Sequence, residues 1–166
     1  MIQIPDYQNF LWKSKYEDHG PPLVPGAFGE VQPVKCRDTG QILVRKRIRR
    51  EPFQPNSFER FKREILTMEK MFHPNIVRYF EGFEDKLGYF LVMEYCTGGN
   101  LRDAITKRLE LSGLKPFDDS QTLQWGSQLM DALAYVHSKG IMHRDIKPEV
   151  GPFNQTFSPL KVYIFA

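Results

Sequence analysis

Apolar and polar residues alternate most cleanly over Gln41–Ile48, "QILVRKRI". In a strand, Ile42, Val44, Lys46 and Ile48 share one face, and Leu43, Arg45 and Arg47 share the other. Lys46 therefore stands on an apolar face, where a charge is costly unless another group pairs with it. The period then changes. Phe58, Phe61, Ile65, Met68 and Phe72 recur at three- and four-residue steps, which predicts a helix with one apolar stripe. Ser57 is its expected N-cap, and His73-Pro74-Asn75 its expected end. Glu64 sits beside the stripe rather than opposite it. Two strand-like runs follow, Ile76–Phe83 and Tyr89–Tyr95, with Glu84–Gly88 as a hairpin loop. Asn100 is placed to cap a short helix from Leu101 to about Leu109. A longer helix is predicted over Ser120–Ser138, with Leu123, Leu129, Met130, Leu133 and Val136 apolar and Gly140 as its stop. Pro21, Pro22 and Pro25 argue against a long strand in His19–Val31. Pro33 falls where a strand is expected and, having no N–H to donate, implies an edge or a bulge. Strands, helix, strands and helices in that order give an α+β arrangement with segregated parts.

Composition narrows the picture modestly. The chain has 166 residues and a net charge of 23 − 20 = +3, too weak a bias to indicate nucleic acid. The densest basic run, Arg45–Arg50 "RKRIRR", is compatible with a nuclear signal or a phosphate patch, but its simplest reading is a solvated strand face. Cys36 and Cys96 are too few for a disulfide framework, and their spacing suggests no metal site. The first ten residues lack the pattern of a signal peptide, and no apolar run approaches the roughly 20 residues of a membrane span. The expectation is a soluble protein of the cytoplasm, with the nucleus left open, and no nucleic-acid or membrane partner.

Three separated pieces suggest chemistry. "GAFGEV", Gly26–Val31, carries two glycines that let a backbone approach phosphates with its N–H groups toward the anion. Lys46 and Glu64 are placed to form an ion pair that aims an ammonium at phosphate oxygens; taken alone, they read more readily as a snorkelling lysine and a surface glutamate. "HRDIKP", His143–Pro148, offers a carboxylate to accept a proton from a hydroxyl nucleophile and a lysine to steady transferring phosphoryl charge.

Together, in this order and spacing, these pieces resemble the protein kinase family over about Tyr16–Glu149. The resemblance implies a small antiparallel-sheet lobe with one helix and an incomplete helical large lobe. The corresponding segments are an N-terminal extension at 1–15, a small lobe at 16–93, hinge and partial large lobe at 94–150, and a tail at 151–166. It implies an ATP-dependent serine/threonine kinase that uses Mg²⁺ and acts on protein substrates. Gly26, Gly29, Val31 and Val44 would surround the nucleotide, and Lys46, paired with Glu64, would hold the α- and β-phosphates. "LVMEYCTGGNL" is similar to the hinge, which makes Met93 the gatekeeper and gives the adenine the backbones of Glu94 and Cys96. Asp145 would be the catalytic base, and Lys147 marks the serine/threonine branch. "MEYCTGGNLRDAI" and Val44 are most similar to the NIMA-related kinases.

The chain also departs from the pattern. Val24 and Pro25 replace the first glycine and its neighbour, and Val150 stands where the family has a metal-binding Asn. No Asp-Phe-Gly follows, so neither protein ligand for Mg²⁺ is expected, and phosphoryl transfer relies on positioning and charge neutralisation. On that ground the chain alone is expected to be inactive. The alternatives are a non-catalytic kinase-like binding or competitor module, or a gene-model fragment. Gly151–Ala166 is unlike the family; "KVYIF" has the composition of a strand, but the expectation is a sticky tail. Five apolar residues of the long helix left half-covered would forgo ~4–8 kcal/mol, against ~5–15 kcal/mol of net stability in a whole domain. The expectation is a chain that is marginal, prone to aggregate, or dependent on a chaperone or partner over that helix.

Overall fold

The computed structural model describes residues 14–26, 29–48, 57–85, 88–112, 116–148 and 160–163. They fall into two compact units: Met1–Lys70 with Arg78–Tyr95, and Met71–Val77 with Cys96–Ala166.

The first unit is an antiparallel sheet with one helix. Its strands are β1 (Tyr16–Asp18), β2 (Leu23–Gly26), β3 (Gly29–Cys36), β4 (Ile42–Ile48), β5 (Tyr79–Asp85) and β6 (Gly88–Glu94); helix α1 spans Ser57–Met68. The order is β1-β3-β4-β6-β5, with β2 also paired to β3. Cα partners across β4 and β6 run from Leu43 opposite Glu94 to Ile48 opposite Tyr89. Residues directly opposite each other share a face. Val31, Val44, Lys46, Tyr89, Leu91 and Met93 thus lie on one side, toward α1. There Phe61 of α1 stacks on Tyr89 at 4.8 Å, and Phe61, Ile65 and Met68 are buried. Tyr16, Val34, Cys36, Leu43, Phe83, Phe90 and Val92 form a second apolar cluster on the other side.

Burial on both faces corrects the solvated-face reading of the basic run. Arg45 is only 9% exposed and Lys46 6%. Arg45 reaches Asp18 at 3.3 Å and lies over the Phe90 ring. Arg49 and Arg50 lie outside the described residues.

Pro33 sits in β3, which has neighbours on both sides. It is nevertheless tolerated, because β1 pairs only as far as Val34 and β2 only from Val31. A residue's N–H and C=O point the same way in a strand. The Pro33 carbonyl accepts from the N–H of His19, so its missing donor faces the gap between β1 and β2. The edge expected from sequence is this local one.

The apolar stripe of α1 is shorter than predicted. The helix stops at Met68, before the His73-Pro74-Asn75 expected to end it. Past that point helical spacing no longer assigns a face: Phe72 is 76% exposed, and Met71 is buried instead, in the second unit. β5 begins at Tyr79 rather than Ile76, and Asp85 pairs with Gly88, which tightens the hairpin to two residues. Ile76 leaves the sheet and forms an isolated parallel bridge with Val162.

The second unit carries α2 (Leu101–Ser112) and α3 (Asp119–Ser138). Asn100 caps α2 as expected, and the cap is reciprocal. Its Oδ1 accepts from the Asp103 N–H at 3.0 Å, while Asp103 Oδ2 accepts from the Asn100 N–H at 3.0 Å. Asp118 caps α3. Gly140, at φ 73°, ends it in a Schellman turn: Ile141 N–H donates to Val136 O, and Gly140 N–H to His137 O. Ala132 and Val136 are fully buried with Met71, Ile76 and Val162, and Leu129 packs against them. Leu123 and Met130, two of the five apolar residues expected to be left half-covered, are 73% and 65% exposed. The chain's last described stretch, Leu160–Tyr163, is seated in this core rather than forming a loose tail.

Candidate active site

In the first unit, the hairpin of β2 and β3 brings Gly26 and Gly29 opposite each other as Cα partners. Ala27 and Phe28, between them, lie outside the described residues. Two residues along β3, Val31 faces Lys46, and Val44 faces Met93 across β4 and β6. Val31, Val44, Lys46 and Met93 therefore make one continuous patch on the helix side of the sheet. Val44, Lys46 and Met93 are buried there.

The charge in this patch is Lys46, and α1 supplies its partner. Lys46 Nζ donates to Glu64 Oε1 at 3.0 Å, with both side chains mostly buried. Burial pulls the lysine below its usual range, and the Glu64 carboxylate pulls it partway back. Two readings of this pair stood open on sequence alone. The geometry selects the ion pair, because neither group snorkels to the surface. An ammonium has only donors to offer, so its partners here are acceptors and anions such as the Glu64 carboxylate. At the end of β6, the Glu94 N–H donates to Arg78 O at 2.9 Å, and its carboxylate accepts from the Arg78 N–H at 3.2 Å.

The second unit holds Cys96, half-buried, and the loop His143–Pro148. Lys147 Nζ lies 2.7 Å from Asp145 Oδ2, and both side chains remain partly open to solvent. The Asp145 N–H donates to His143 Nδ1 at 3.3 Å, and His143 Nε2 donates to the Tyr163 carbonyl at 2.8 Å. His143 is buried. Arg144, between them, has φ 64°, rare for a residue with a Cβ.

Sequence reasoning missed His143 as a structural member of this loop, and it missed the segment it binds. A signal existed for the second: Leu160 and Val162 are apolar at a two-residue step, and both are buried. Nothing in the sequence pairs Tyr163 with His143, since that contact depends on where the two segments meet. Among the described residues, no three His, Cys, Asp or Glu side chains gather in a way that could hold a metal ion.

Residues 21–150 match the family model of the protein kinase domain. The chain belongs to the protein kinase family. Relatives come from several serine/threonine groups. The chain is 43% identical over 129 residues to calcium-dependent protein kinase 5 of Plasmodium berghei, covering 75% of the chain and 21% of that protein. It is 36% identical over 124 residues to human serine/threonine-protein kinase Nek5, a NIMA-related kinase, covering 75% of the chain and 17% of that protein. It is 38% identical over 136 residues to rice CBL-interacting protein kinase 21, covering 81% of the chain and 25% of that protein. The chain thus spans a quarter or less of these relatives' lengths.

Protein kinases in general transfer a phosphoryl group from ATP with Mg²⁺. The residues of this kinase chain fit the nucleotide half of that pair, through the buried and partnered Lys46. For the metal the described residues offer no such cluster. No helix among the described residues is long and apolar enough to cross a membrane.

Proposed function

We propose that the protein carrying this chain is an ATP-dependent serine/threonine kinase that phosphorylates protein substrates. The observation that carries the reading is the buried Lys46–Glu64 pair at 3.0 Å, since an ion pair in an apolar patch needs a reason to be there. In this reading Lys46 holds the α- and β-phosphates and Glu64 aims it. Gly26 and Gly29 let the β2–β3 backbone close over the phosphates. Val31 and Val44 pack on the adenine, Met93 gates the space behind it, and the backbones of Glu94 and Cys96 meet its edge. Asp145 orients or accepts the proton of a Ser or Thr hydroxyl, and Lys147, already 2.7 Å from Asp145, steadies the transferring phosphoryl group. A partner or chaperone over the α3 face that exposes Leu123 and Met130 belongs to the same reading.

The test uses the purified chain with Mg²⁺, labelled ATP and casein, alongside calorimetric ATP binding. Lys46→Ala should weaken ATP binding at least about tenfold, and Asp145→Asn should leave binding intact while lowering transfer by roughly a hundredfold or more. Binding that is absent, or indifferent to Lys46, would overturn the nucleotide assignment. Binding without transfer in the wild-type chain would restrict this piece to a nucleotide-binding module.

A further inference from the structure

We infer that two copies of this chain pair through the exposed face of α3, antiparallel and related by a twofold axis, so that the partner over Leu123 and Met130 is a second copy of the chain itself. This pairing goes beyond the kinase reading and stands without it.

The helix buries one side only. Ala132 and Val136 are fully buried, and Leu129 packs against their cluster. On the opposite side, Asp119, Leu123, Gly126, Met130, Leu133 and His137 recur at alternating steps of four and three residues. That is the seam by which two helices pack along each other. All six are exposed except Leu133, which is half-buried. Ser120, Ser127 and Ala134, small and also exposed, flank the seam at seven-residue spacing and leave room for close approach. Ser127 Oγ already donates to Gln124 O at 2.8 Å, so covering it strands no donor.

In an antiparallel pair, each seam meets the other in reverse order. With the axis level with Gln128, His137 lies opposite the partner's Asp119, Met130 opposite the partner's Gly126, and Leu123 opposite the partner's Leu133. Twofold symmetry makes each contact twice. Every layer is complementary. A flexible methionine fills the space that a glycine leaves, two leucines pack together, and an imidazole faces a carboxylate. The acidic first turn of one α3 thus lies beside the basic last turn of the other, with opposed helix dipoles adding to the attraction. A parallel pair would instead set Asp119 against the partner's Asp119 and leave two glycines facing across a gap. Gly126 is the decisive residue. A glycine inside a helix costs stability, yet a Cβ added there meets no atom of the described residues within 4 Å. Nothing described within the chain requires it, whereas a second helix seating Met130 there does.

One helix face about 27 Å long makes a contact at the small end of specific interfaces, so the dimer depends on concentration. The test is analytical ultracentrifugation of the full chain from about 1 to 200 μM, where the wild type should show a monomer–dimer equilibrium. Gly126→Leu fills the seat of the partner's Met130. It should raise the dimer dissociation constant about tenfold or more without lowering the monomer's thermal midpoint, since the new side chain enters open space. Non-specific apolar sticking would instead increase with an added leucine. Asp119→Lys should weaken the dimer roughly fivefold, and adding His137→Asp should restore it. Gly126→Leu that associates as well as wild type, or a charge exchange that restores nothing, would overturn the inference. So would a wild-type chain that stays monomeric throughout, or that forms large aggregates with no dimer, and α3 would then belong to a different partner. The wild-type result decides even if a variant fails to fold, and it does so whether or not the chain binds ATP.

Discussion

Lys46 shows how one residue type can be read two ways until its neighbours are known. Its burial disfavours the charged form, and Glu64 is the group that offsets this. Glu64→Gln should therefore destabilise the chain by about 3–5 kcal/mol at neutral pH, the usual cost of stripping one partner from a buried pair. The sign with pH follows from proton counts. Lys46 binds its proton less readily folded than unfolded, and losing Glu64 lowers its folded pKa further. The unfolded chain then holds the extra proton up to about pH 10.4, so stability rises with pH through that window. A neutral Lys46 no longer needs the carboxylate, so the deficit of Glu64→Gln against wild type should shrink between pH 7 and pH 10. Urea midpoints at the two pH values measure it; a deficit that is flat or growing with pH would contradict the assignment.

At the scale of elements, the fit of α1 to the sheet turns on the absence of a side chain at Gly82. A Cβ there would come within 2.5 Å of Ile65 Cδ1 and 3.1 Å of the Tyr79 hydroxyl. Ile65 is buried in the stripe of α1 and has little room to yield. Gly82→Ala should cost about 1–3 kcal/mol through overpacking, visible as a lower thermal midpoint, and it should weaken ATP binding if Glu64 moves with its helix. The caps and stops were legible beforehand because they act locally: Asn100 with Asp103, and Gly140 after α3. The length of α1 was not. Phe72 keeps helical spacing with Met68, but the chain has already left the helix, and Met71 takes the buried place.

For the whole molecule, the exposed apolar side chains matter most. Leu123 and Met130 stand on α3 at 73% and 65% exposure, and exposed apolar surface of this kind drives association. The chain should self-associate as its concentration rises, and Leu123→Gln with Met130→Gln should suppress this while moving the thermal midpoint by less than about 1 kcal/mol equivalent, since neither residue is buried. Light scattering against concentration checks it. A wild-type chain that stays monomeric at high concentration would refute the expectation.

By itself the sequence determined whatever depends on local spacing. It established the alternation that puts Lys46 on an apolar face, the helical step that puts Glu64 near it, the Asn100 cap, and the family signature from Gly26 to Lys147. These are properties of neighbouring residues, which dihedral preference and side-chain period settle without reference to the rest of the chain. Only tertiary structure decided three further matters. Arg45 is buried because both faces of β4 are covered. Pro33 is tolerated because two partner strands leave a gap at its position. Leu160–Tyr163 is seated in the second unit because Leu160 meets Asn75, 85 residues away in the chain, and Tyr163 meets His143, 20 residues away. Contacts across such separations carry no periodic trace; they are fixed by which surfaces the fold brings face to face.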